Sequence, residues 1–150
     1  MLNIKHKLFQ ACHDFVNHKL RTTQDRIQSL QNDLQSETKS SAGDKHETGR
    51  AMLHLEIEKT AQQLNSIHQM REVMDRIDLS KKFKIVSLGS LIETNIGNYF
   101  LAISLGQHKI DDRTYFIVST SSPIGKELMG KKEGSELLFN GRKIQINTIS

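Results

Sequence analysis

The stretch Ser40-Ser41-Ala42-Gly43-Asp44-Lys45-His46-Glu47-Thr48-Gly49-Arg50 decides how this chain folds, because the apolar spacing on its two sides is a reflection. Upstream, Leu20, Thr23, Ile27, Leu30 and Leu34 recur at alternating steps of 3 and 4, and downstream Leu53, Ile57, Thr60, Leu64 and Ile67 do the same. Taken from the inside out, Leu34 pairs with Leu53, Leu30 with Ile57, Ile27 with Thr60, Thr23 with Leu64 and Leu20 with Ile67. The mirror point falls between Gly43 and Asp44. Stripes at this spacing are coiled-coil seams, and two that reflect each other bury one another as an antiparallel hairpin. The quoted stretch is then its tip. At ~1.5 Å per residue, arms of about 30 residues hold Asp44 and Glu47 roughly 45 Å from the base.

Two readings of those acids stand side by side. Gly43 suits the left-handed close of a helix, Asp44 suits the cap of the next one, and Glu47 completes a capping box three residues on. Alternatively, two carboxylates carried at the end of a rod are placed for delivery into something else. Gly49 bears on the choice, because a glycine in a helix costs about 1 kcal/mol against alanine. A rod built for stability alone would not carry it.

Outward from the tip, the first arm is expected to run to about Glu37 and the second from about Lys45 to Asp78. Leu8, Phe9, Cys12, Phe15 and Val16 extend the apolar face back to the start of the first helix, with bulkier side chains suited to packing at the base. Beyond Ile67 the second stripe continues one residue out of step, as Met70, Met74 and Ile77, where a plain two-stranded coil would end. After Asp78 the texture changes. Segments 84–87, 90–94, 98–105 and 115–120 are rich in Ile, Val, Leu and aromatics and read as strands, with a turn at Asn95-Ile96-Gly97-Asn98. Pro123 to Met129 reads as a short helix stopped by Gly130. Asn140-Gly141, between 137–139 and 143–149, is a two-residue hairpin turn. The expectation is an α+β chain of two parts, a helical hairpin over 1–78 and a small antiparallel sheet domain with one short helix over 79–150.

Composition narrows the classes. The chain has 150 residues, 25% charged and 36% hydrophobic, with no Trp and one Pro. No apolar run approaches the ~18 residues of a membrane span, and the N-terminus lacks a signal-peptide core, so no membrane association is expected. A lone Cys12 within a helix favours a reducing, cytoplasmic setting. The net charge of +4 is uneven: residues 1–78 carry 11 basic and 11 acidic side chains, residues 79–150 carry 10 and 6. A mildly basic C-terminal part faces nucleic acid, an acidic protein surface or simply solvent.

Two stretches resemble the Gre family of bacterial transcript-cleavage factors. One is Gly43-Asp44-x-x-Glu47 in the loop of an N-terminal helical hairpin. The other is Ser119-Thr120-Ser121-Ser122-Pro123-Ile124-Gly125-Lys126-Glu127-Leu128-Met129-Gly130-Lys131, similar to that family's Ser-Pro-Ile-Gly-Arg/Lys-x-Leu-x-Gly-Lys signature. Ser87-Leu88-Gly89-Ser90 and Glu133-Gly134-Ser135-Glu136 add weaker matches in the same order. The resemblance implies an FKBP-like C-terminal domain that binds RNA polymerase through Ser121, Ser122, Pro123 and Ile124. It further implies a hairpin inserted into the secondary channel, where Asp44 and Glu47 help hold a second Mg²⁺ and a water at the polymerase's own catalytic centre. Backtracked RNA is cut there, with the nascent 3′ end near the tip. On this reading the chain is a cytoplasmic monomer that stimulates another protein's nuclease activity and is not itself an enzyme, with at most a weak nucleic-acid contact of its own. Where the family usually has Asn-Ala-Glu/Asp-Tyr after the second acid, this chain has Thr48-Gly49-Arg50-Ala51, losing an aromatic and an acid and gaining Arg50. The alternative is a secondary-channel regulator that binds polymerase without stimulating cleavage.

Other constellations fall short. His46-Glu47-x-x-Arg50 misses the second histidine of the zinc-protease pattern, and one Cys with scattered His does not make a structural zinc site. Cys12 and His13 are adjacent on a helix and diverge. Ser121-Ser122 lacks a nucleophile elbow, and the aromatics near Tyr99 and Tyr115 are too few for a prolyl-isomerase pocket.

Overall fold

Residues 2–39 contain no Gly or Pro, and nothing interrupts the first helix, α1 (Leu2–Lys39). The second, α2 (Asp44–Asp75), tolerates Gly49 as its one glycine. The computed structural model describes the backbone of residues 2–39 and 44–150 and the side chains of residues 4–37 and 47–150; residues Ser40–Gly43, expected from the sequence to form the tip, and the Asp44 side chain lie outside them. The chain divides into two compact units, Val16–Arg71 and a second made of Met1–Phe15 with Glu72–Ser150.

In the first unit all ten seam residues are buried or half-buried, whereas their neighbours Gln24, Gln31, Glu58 and Gln63 are exposed. Leu20, Leu30, Thr60 and Ile67 are the best shielded. Thr60 sits in the apolar seam without a desolvation cost, because its Oγ1 donates to the Glu56 carbonyl of its own helix at 2.7 Å. The helices run antiparallel: Arg26 of α1 pairs with Glu56 of α2 at 3.6 Å, and farther along α1 the Glu37 carboxylate lies against Gly49, nearer the start of α2.

In the second unit, the end of α2 tightens through Arg76 N–H to Val73 O and Ile77 N–H to Met74 O bonds. The Asp78 carboxylate then accepts from both the Ser80 hydroxyl (2.6 Å) and the Ser80 amide (2.9 Å), which closes the turn and holds its carboxyl below the usual range. Six strands follow: β1 (Leu91–Thr94), β2 (Asn98–Ala102), β3 (Gly106–Ile110), β4 (Arg113–Ser119), β5 (Glu136–Phe139) and β6 (Arg142–Ile149), with α3 (Pro123–Leu128) between β4 and β5. They form one sheet in the order β3-β4-β2-β1-β6-β5.

Two features depart from the sequence reading. Gly106–Ile110 is a strand, and β2 and β4 pair in parallel, so the sheet is mixed. Both have one cause. The chain turns after β2, runs out as β3, and reverses at Asp111-Asp112, both left-handed (φ 49° and 65°). It then returns as β4 between β3 and β2, in the same direction as β2. The segment 84–87 contributes only a single antiparallel bridge, Ile85 with Lys132.

Register sorts the core into two faces. Leu91, Phe100 and Ile117 are aligned across β1, β2 and β4, while Ile92, Tyr99 and Leu101 point the other way. On the latter side a buried cluster of Val86, Ile92, Leu101, Ile146, Ile149 and Leu128 of α3 is covered by Ile124 of α3 and by Phe83. Residues 4–15 of α1 take the former side: Ile4 lines a cleft with Leu91 and Tyr115, Cys12 hydrogen-bonds the Ile103 backbone, and Lys7 reaches Asp111 at 3.5 Å. Both faces are therefore covered, which is why Leu91-Ile92 and Phe100-Leu101-Ala102 are buried in succession instead of alternating.

Candidate functional site

Two places hold the residues singled out by the sequence. At the first, Asp44 opens α2 and Glu47 follows one turn later. Glu47 and Thr48 are exposed, and Gly49 and Arg50 are half-buried. Residues three apart on a helix share a side, so positions 44 and 47 fall on one side of a helix start, where the unpaired amides favour negative charge; the Asp44 side chain itself lies outside the described residues. Beyond them the Glu37 carboxylate lies 3.5 Å from where a Gly49 Cβ would sit, an ordinary contact distance. The Nε of Arg50 is enclosed and has no hydrogen-bond partner among the described residues.

The donor set at the tip fits a hard divalent cation in part. Mg²⁺ takes one or two carboxylates and completes its shell with water and phosphate oxygens. Two acids one turn apart, with Glu47 open to solvent, satisfy that count and no more. Among the described residues no group of three or more His, Cys, Asp or Glu gathers as a metal cage.

The second place is the loop before α3. Ser122 is extended (φ −66°, ψ 157°) and caps α3: its Oγ accepts from the Gly125 amide at 3.1 Å and donates to the Ser119 carbonyl at 2.7 Å. Pro123 occupies the first helical turn, where no amide is needed. Gly125 is required by close approach, because a Cβ there would collide with the Ser119 carbonyl and the Ser122 hydroxyl. The four predicted residues are thus brought onto one loop and divided between tasks. Ser122 and Ile124 are engaged in holding the fold, while Ser121 and Pro123 are exposed. The Ser121 hydroxyl lies 3.2 Å from that of Ser119.

Two surface features had no counterpart in the site reading. Met52 and Leu55 are 65% and 67% exposed on the outer side of α2, beside Glu56 and Lys59. They lie off the seam positions Leu53 and Ile57, so the apolar spacing hid them. The other is a cleft of about 490 Å³ lined by Lys82, Phe83, Lys84, Lys132, Glu133 and Ile149. Its lysine runs are visible in the sequence, but their adjacency is not.

No protein-family model matches this chain, and no curated protein matches it in sequence. No helix among the described residues is long and apolar enough to cross a membrane.

Proposed function

We infer that the chain binds RNA polymerase, inserts the end of its helical hairpin into the secondary channel and stimulates cleavage of backtracked RNA. The observation that carries this reading is the antiparallel α1–α2 pair whose second helix opens with Asp44 and Glu47. A pair of carboxylates at the end of a two-helix rod is an incomplete metal site, suited to completing one on another protein. Mg²⁺ held there would orient and acidify a water for phosphodiester hydrolysis. This chain's own part is to present the two carboxylates at the start of α2. The Ser121–Pro123 turn supports the docking half of the proposal, since it is rigid and leaves a hydroxyl and a proline ring on the surface.

Arg50 favours a second reading, a channel-bound regulator that does not promote cleavage, because it sets a cation three residues from Glu47 on the same helical side. Backtracked elongation complexes with labelled RNA separate the two. The wild-type protein is expected to release short 3′ fragments. Asp44→Asn and Glu47→Gln are expected to abolish that release while polymerase binding and melting temperature hold, because Asn and Gln still serve as caps. Wild-type binding without cleavage would select the regulator, and no binding would remove both readings.

A further inference from the structure

The basic cleft assembles charges from two distant stretches of sequence. The Ile85–Lys132 bridge, with Val86 N–H to Lys131 O at 2.9 Å and Gly130 N–H to Val86 O at 3.0 Å, sets residues 82–84 alongside 131–132. Lys82, Lys84 and Lys132 are exposed, Lys131 is half-buried, and none of the four forms an ion pair among the described residues. Behind the cleft, the buried Lys5 places its ammonium 4.9 Å over the Phe83 ring and 3.2 Å from the Lys81 carbonyl, adding a further positive charge. The one acid in the lining, Glu133, is tied down as acceptor of the Ile149 amide at 2.9 Å. Three exposed lysines and one acid line the cleft and Lys131 lies beside it, which leaves a net positive charge that a polyanion would offset.

The chemistry of the lining chooses among polyanions. Every cation is lysine. Lysine meets carboxylate and phosphate alike as a point charge, so the choice falls to the aromatic side chain that lies between the lysines. The half-buried Phe83 ring adds an apolar floor between the lysines, the combination found where single strands bind without sequence preference. We propose that this cleft binds single-stranded nucleic acid through its phosphate backbone, with Lys82, Lys84, Lys131 and Lys132 as the phosphate contacts and Phe83 against a base or sugar. The site stands apart from the hairpin tip and does not depend on the polymerase reading.

The test uses the full chain alone, with no polymerase present. Fluorescence anisotropy follows binding of a labelled single strand of about 12 nucleotides, as RNA and as DNA. It is repeated from about 50 to 200 mM salt. Contacts to three or four phosphates predict a slope of log affinity against log salt of about −2 to −3. The Lys82→Ala/Lys84→Ala/Lys132→Ala variant is expected to bind about tenfold more weakly at low salt, with the slope reduced by about 2. Lys82→Glu/Lys132→Glu is expected to bind more weakly still. Lys109→Ala/Arg113→Ala, on the edge hairpin β3–β4, is expected to change nothing. The replaced lysines are exposed, and circular dichroism checks that the fold is kept. A wild-type protein without salt-dependent binding, or a triple variant that binds like wild type, overturns the proposal. So does a duplex bound more tightly than the single strand, or poly-glutamate that displaces RNA as well as unlabelled RNA does, which would reassign the cleft to an acidic protein segment.

Discussion

A single hydroxyl illustrates how function and fold compete for one side chain. Ser122 sits in the motif that suggested polymerase docking, yet its Oγ is committed to both the Ser119 carbonyl and the Gly125 amide. Ser122→Ala should therefore cost about 1 kcal/mol of stability, the usual loss of a cap. Gly125→Ala should cost more, about 1–3 kcal/mol, because the added methyl meets a backbone carbonyl that has little room to yield. Thermal or urea denaturation orders the two, and a Gly125→Ala chain as stable as wild type would contradict the packing at this loop. Cys12 makes a second residue-scale case. Burial pushes its thiol up to about 12 from an ordinary 9.0, against a lowering backbone bond from Ile103. A folded pKa raised above the unfolded one means the contribution is complete below pH 9 and fades as the pH climbs towards 12. At pH 8 the thiol should resist alkylation by iodoacetamide in the folded chain and react once urea unfolds it.

Among the elements, the hairpin has the plainest energetics. Leu30 is buried in the seam, and Leu30→Ala should destabilise the chain by about 2–4 kcal/mol. Gly49→Ala should act in the opposite direction, gaining about 1 kcal/mol, because its new methyl meets Glu37 at ordinary contact distance and helix propensity improves. Chemical denaturation of the two variants measures both signs. A Gly49→Ala chain that is more stable but poorer in polymerase assays would mean that the glycine serves the tip and not the helix. In the sheet, β3 follows the logic of an edge: Gly106, Gln107 and Lys109 are exposed and polar, so it lacks the β-branched run that marks an interior strand.

For the whole molecule, the decisive grouping is that residues 1–15 belong to the same compact unit as 72–150. They cover the sheet face formed by Leu91, Phe100 and Ile117, and within this unit Leu8 and Cys12 are fully buried. A chain in which Val16–Arg71 is replaced by a short glycine-serine loop joining Phe15 to Glu72 should still melt cooperatively and still protect Cys12. The fragment 79–150, without that cover, should bind a hydrophobic dye and lose its sharp transition. A well-folded 79–150 fragment would show that the first turns of α1 are dispensable to the sheet.

What the amino-acid order determined unaided is local. Reflected heptads fold into a hairpin, Ser122-Pro123 starts a helix, and Asn140-Gly141 reverses a strand through left-handed residues at φ 50° and 76°. Each rests on periodicity or on dihedral preference within a few residues, and so is written in the sequence. Which strand lies beside which is not. The parallel β2–β4 pairing and the burial of α1's first turns depended on contacts far apart in the chain. The meeting of Lys82 and Lys84 with Lys131 and Lys132 depended on them too. Nothing near those residues encodes such contacts, because backbone hydrogen bonding is chemically the same for every possible neighbour. Tertiary structure chose among them by how much apolar surface each arrangement removed from water on the two faces of the sheet.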